Sequence, residues 1–160
     1  MQMQQDKIKK ENFMSEEEFK TITTLIDDTY KNVRMGSFGI DCIIDKIEDG
    51  RLEELMRKQN AFYLDATTDL ERISEKYKHE PVDIGPFLKG SSFTSINMKT
   101  MFNKETQHIA EMLIQGTTMG ITETIKSQKD NPVDDKELTD LVLSVISHQE
   151  DFVESLKEFL

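Results

Sequence analysis

Tryptophan is absent from this sequence, cysteine occurs once and proline three times. The single cysteine, Cys42, excludes an internal disulfide, and within a helical stripe it reads as a small core hydrophobe. Few prolines, and only seven glycines in 160 residues, argue against an all-β fold with its many turns. No apolar run is long enough to span a membrane. The opening stretch Met1 to Met14 is polar and contains no apolar leader, so the chain reads as cytoplasmic. Basic residues are also scarce. Twenty Lys and Arg stand against 31 Asp and Glu, a net charge of −11. A surface that acidic repels phosphate, which argues against nucleic acid as a partner and against an anionic membrane surface. Gly-rich phosphate loops, Cys-x-x-Cys pairs, a Ser-His-Asp order and a basic patch are all missing.

What remains is hydrophobic residue at helical spacing. The length suits one domain with a real core, and residues 15–160 read as that domain, preceded by a flexible tail over 1–14. Ser15 with Glu18 forms a capping-box signature. Behind it Ile22, Ile26, Thr29, Val33, Gly36, Ile40 and Ile43 recur at three-or-four spacing, up to a left-handed cap at Gly50. A second helix starts near Arg51 and carries Leu52, Met56, Gln59, Tyr63, Ala66, Leu70 and Ile73. Its stripe includes one amide, Gln59, which if buried needs hydrogen-bond partners. Pro81, Gly85, Pro86 and Gly90 mark the longest connection, which Phe87, Leu88 and Phe93 pin to the bundle end. The third helix is expected from about Phe93 to Ser127, with Ile96, Met98, Met101, Phe102, Glu105, His108, Ile109, Met112, Leu113, Gly116, Met119, Gly120 and Glu123 on its stripe. The fourth opens at Asp134 with Glu137 and uses Leu138, Val142, Val145, His148, Gln149, Phe152 and Leu156. Gly36, Gly39, Gly116 and Gly120 cost helix propensity; close approach of a neighbouring helix is the expected reason for keeping them.

Four such helices make an all-α, antiparallel four-helix bundle. The middle connection fits either a simple up-down order or a lengthwise crossover, since about 13 extended residues reach roughly 40 Å.

Bundles can hold two metal ions between helices, with Glu-x-x-His motifs supplying two ligands from one face. Glu105 and His108 have that spacing. His148 and Glu150 on the fourth helix are the other candidates, although His-x-Glu does not share a face. A count of helical rise places His148 roughly 10 Å from His108 along the axis. The first helix offers no carboxylate on its stripe near Gly36.

The runs Met56-Arg57-Lys58-Gln59-Asn60-Ala61-Phe62, His108-Ile109-Ala110-Glu111-Met112-Leu113-Ile114-Gln115-Gly116 and His148-Gln149-Glu150-Asp151, with the four-helix layout, carry a resemblance. Over about Leu25 to Leu160 the chain resembles the ferritin-like superfamily, and more narrowly the bacterial ferritin-like bundle proteins grouped near rubrerythrin. That resemblance implies the fold. Members with full ligand sets bind iron or manganese and carry out ferroxidase or peroxidase chemistry. Here the first-helix Glu has no counterpart near Gly36, and the second-helix Glu corresponds to Gln59, a neutral group. The reading that follows is a bundle with a degenerate or absent metal site, with no cofactor, acting as a structural or protein-interaction module toward a second copy or another protein. Two alternatives stay open. One is an iron- or manganese-binding, weakly redox-active bundle using Glu105 and His108. The other is an apolar-ligand carrier with a methionine-lined core.

Overall fold

The computed structural model describes residues 14–86, 90 and 105–160. Four long helices carry the described residues: α1 (Glu16–Ile43), α2 (Gly50–Glu75), α3 (Thr106–Asp130) and α4 (Lys136–Leu156). Short 3-10 turns follow α1 at Ile44–Lys46 and α4 at Lys157–Phe159. Of the expected tail only Met14 is described. The expected start of the third helix at Phe93, with Phe87, Leu88, Met98 and Met101, lies outside the described residues.

Helices α1, α2 and α4 start where a side chain satisfies orphan N–H groups. The Ser15 hydroxyl accepts from the Glu18 N–H at 3.1 Å, and the Glu18 carboxylate accepts from the Ser15 N–H at 2.9 Å, the reciprocal box expected from sequence. Asp49 caps α2, accepting from Arg51 and Leu52. Gly50 is therefore the first residue of α2 and not a left-handed stop for α1; no described glycine has positive φ. The left-handed stop falls instead at Lys78, φ 52°, just past α2. There the His79 N–H reaches the Ser74 carbonyl and the Lys78 N–H that of Glu75, the paired bonds of a Schellman ending. The cap of α4 is Asp135, which accepts from Leu138 at 3.0 Å. It is one residue beyond the expected Asp134, because only Asp135 sits three residues before that N–H.

The pairings define the arrangement. Helix α1 packs on α2 and α3, and α4 packs on the same two, so α1 and α4 stand across one diagonal and α2 and α3 across the other. Between α1 and α2, Tyr30 meets Glu71 and Ser37 meets Asn60. Between α1 and α3, Asp28 meets Ser127 and Asn32 meets Thr124 and Gly120. Between α2 and α4, Tyr77 meets Asp135, Phe62 meets His148 and Arg51 lies over Phe159. In each of these three pairs, numbers rise on one helix as they fall on the other.

The end of α2 therefore lies beside the start of α4, where α3 has just finished, and the start of α3 lies at the far end. The connection from α2 to α3 begins at one end of the bundle and finishes at the other. Its first described stretch follows that route. Asp27 on α1 takes His79 Nε2 at 2.8 Å and the Val82 N–H at 2.9 Å, and further along α1 Arg34 pairs with both Asp83 oxygens at 3.1 Å.

Leu25, Ile26, Val33, Leu52, Met56, Leu70, Ile73, Leu138, Val142 and Leu156 are almost wholly buried, each worth about 1.5–3 kcal/mol of transfer free energy. The inward stripes of α1, α2 and α4 follow the expected positions, except that His148 on α4 is exposed. That of α3 follows in part. Ile109 is buried and Met112 and Leu113 pack against the core as expected, but Met119 is 66% exposed. Thr117, Thr124 and Ser127, off the expected stripe, are buried there as well. Among the described residues no helix is long and apolar enough to cross a membrane.

Candidate functional site

At mid-height the four apolar stripes are interrupted by a polar level. Asn32 comes from α1, Gln59 and Tyr63 from α2, Thr117, Gly120 and Thr124 from α3, and Gln149 from α4. Tyr63 and Gln149 are each 1% exposed. Such groups are costly inside unless hydrogen-bonded.

The bonds are nearly complete. Asn32 Nδ2 donates to Gln149 Oε1 at 2.9 Å, and Gln149 Nε2 donates back to Asn32 Oδ1 at 2.9 Å. This is a reciprocal amide pair across the α1–α4 diagonal. The Asn32 amide also donates to Thr124 Oγ1 at 2.7 Å and to the Gly120 carbonyl at 3.2 Å. Gln149 spends its second N–H on the Tyr63 hydroxyl at 3.1 Å. Burial pushes the Tyr63 phenol up, while the Gln149, Gln59 and Thr117 side chains pull the other way; the net direction is upward.

Two glycines make room for this level. A Cβ on Gly36 would stand 2.5 Å from the Tyr63 ring. One on Gly120 would collide with the Asn32 carboxamide and approach Gln149 Nε2 to 3.3 Å. Close approach, expected for all four mid-helix glycines, holds at these two. At Gly39 and Gly116 a Cβ meets nothing.

The candidate ligands from sequence are elsewhere. Glu105 is the N-cap of α3, exposed and with extended backbone (φ −60°, ψ 136°), not a residue within the helix. His108 is half-buried one turn inside. His148 and Glu150 are exposed on the outside of α4. The His148 ring stacks on Phe62, with centroids 3.8 Å apart and planes within 6°, and its Nδ1 donates to the Ser144 carbonyl at 2.9 Å. The chain therefore presents Gln149, not His148, to the interior. Gln149 meets Gly120, 12 residues past His108 and about 18 Å along the axis, which exceeds the spacing expected from sequence. The structure does not bring Glu105 and His108 together with His148 and Glu150. Among the described residues no three His, Cys, Asp or Glu side chains converge as a metal cluster.

The polar level does not fit the iron or manganese implied by the resemblance. Such ions take carboxylate and imidazole ligands in bundle cores. Here every side chain is neutral, and the oxygens of Asn32 and Gln149 are each occupied by the other's N–H.

Asn32, Tyr63 and Thr124 were not among the sequence candidates. Asn32 falls off the apolar stripe of α1 and reads as a solvated residue. A signal did exist in the paired amides Gln59 and Gln149, one in each of two apolar stripes, together with Gly120 on a third helix.

Further charge pairs tie the bundle end. Arg72 and Lys76 on α2 both contact Glu137 on α4, and Tyr77 donates to Asp135. Lys76 and Arg72 hold the Glu137 carboxyl below its ordinary range. Burial raises Asp135, but bonds from Tyr77 and from backbone N–H groups, with Lys76 nearby, leave it lowered.

No protein-family model, curated protein or solved structure matches this chain.

Proposed function

We propose that the chain is an antiparallel, ferritin-like four-helix bundle that works as a structural or protein-interaction module. In this reading a neutral amide brace stands where the resembled proteins carry metal. The opposed numbering of α1 with α2, α1 with α3 and α2 with α4, and the end-to-end connection from α2 to α3, support the arrangement. The observation that carries the functional reading is the reciprocal Asn32–Gln149 pair. A centre whose amide oxygens are already hydrogen-bonded is built to hold helices together rather than to bind a cation. Activity would then lie on the surface. Leu64, Met119 and Leu143, about half exposed or more, are the apolar side chains that a second copy or another protein would cover. Of the α3 methionines that the carrier reading needs, Met112 packs against the core and Met119 points outward.

The test is metal content by mass spectrometry on untagged protein, before and after loading with Fe(II) or Mn(II) and desalting. The expected result is far less than one metal ion per chain. Near-stoichiometric retained metal would overturn the reading, and its loss on Glu105→Ala with His108→Ala would assign it to that half-site.

A further inference from the structure

The two diagonals of the bundle are treated differently. The α1–α4 diagonal is closed by the Asn32–Gln149 amide pair. The α2–α3 diagonal has polar groups on both sides but no direct bond between side chains among the described residues. On α2, Gln59 is 6% exposed, and its Nε2 finds no hydrogen-bond partner among the described residues. One turn along, Tyr63 carries a hydroxyl that accepts from Gln149. On α3, Thr117 is 8% exposed. Gln59 lies one helical turn before Tyr63 on the same face of α2, and both the Gln59 and Thr117 side chains favour the Tyr63 phenolate, which puts them beside its oxygen. A buried amide donor without a partner, beside other buried polar groups, is the situation that an internal water resolves, provided two to four polar partners surround it.

We propose that Gln59 Nε2, the Tyr63 hydroxyl and the Thr117 hydroxyl form a binding site for one internal water molecule, which bridges α2 to α3. The water accepts from the Gln59 amide and has two hydrogens to give to the Tyr63 and Thr117 oxygens. Direct bonds already run from Thr124 through Asn32 and Gln149 to Tyr63; the water extends that chain to Gln59 and adds a link from α2 to α3.

A high-resolution crystal structure of the full chain tests this. The expected result is an ordered water at about 2.9 Å from Gln59 Nε2 and within bonding distance of Tyr63 or Thr117. A Gln59 amide bonded directly to protein, with no water beside it, would overturn the proposal. Oxygen-17 relaxation dispersion in solution gives a second reading that does not depend on the crystal. Gln59→Met should lose one long-lived internal water relative to the parent chain, and an unchanged count would equally overturn the proposal. Where Gln59→Met fails to fold, the parent crystal structure decides alone.

Discussion

Alanine in place of Gly36 should destabilise the protein, and alanine in place of Gly39, three residues along the same helix, should stabilise it. Both sites lie within α1, so both substitutions gain helix propensity of about 1 kcal/mol. They differ in what the new methyl meets. At Gly36 it stands 2.5 and 2.6 Å from two Tyr63 ring carbons and 3.0 Å from the hydroxyl. That ring cannot swing aside cheaply, because it is 1% exposed and its hydroxyl is held by Gln149. Overpacking of this kind costs about 1–3 kcal/mol, which cancels or exceeds the propensity gain. At Gly39 the methyl meets nothing within 4 Å, and the gain stands alone. The two variants should therefore differ by about 1–3 kcal/mol. The same contrast should appear on α3, with Gly120→Ala losing against Asn32 and Gln149 and Gly116→Ala gaining in open space. Urea unfolding followed by circular dichroism measures all four, with an unchanged slope showing that stability and not compactness has moved. If Gly36→Ala proved as stabilising as Gly39→Ala, the close approach of α1 to Tyr63 would be refuted.

Two further outcomes follow from the polar groups. All three tyrosines have raised phenols: Tyr30 to about 12 through burial and its bond to Glu71, Tyr63 through burial, and Tyr77 through burial and Asp135. At pH 10, ultraviolet titration should show well under half of the tyrosines ionised in folded protein and about half in urea. Because the native state keeps these protons longer, stability should fall as pH climbs from about 10 towards 12; coincident folded and unfolded titrations would refute the burial. Asn32→Asp should place a carboxyl against the Gln149 and Gly120 oxygens that the amide now serves. Its carboxyl titrates higher in the folded state, so the variant should approach parent stability below about pH 4 and lose about 1–3 kcal/mol by pH 7. A pH-independent difference between variant and parent would refute that placement.

The helices were legible because their causes are local. The Ser15–Glu18 box, the cap-rich Asp49 and Asp135 neighbourhoods, and the stripes of α1, α2 and α4 all lie within a few residues of what they determine. The cap of α4 shifted by one, from Asp134 to Asp135, because neighbouring Asp residues offer the same chemistry, whereas Gly50 opens α2 rather than closing α1. The lengthwise connection was not legible, since chain length permitted either route; Asp27 and Arg34 holding His79, Val82 and Asp83 to α1 shows where it sets out. The break at Glu105 carries no proline or glycine, so periodicity ran through it. On α3 Met119 drew the apolar reading outward, and the buried Thr117, Thr124 and Ser127 looked like solvated surface. Asn32 was hidden for the same reason. A polar residue that faces the core resembles one that faces water until its partner on another helix is known.

A double-mutant cycle on Asn32 and Gln149 tests the central claim, that neutral amides brace the bundle through its core. Asn32→Ala alone and Gln149→Ala alone each orphan the opposite buried amide, at about 1–3 kcal/mol. Removing both leaves no orphan within the pair, so the double variant should be less destabilised than the sum by about 1–3 kcal/mol. Additivity within about 0.5 kcal/mol would contradict the brace.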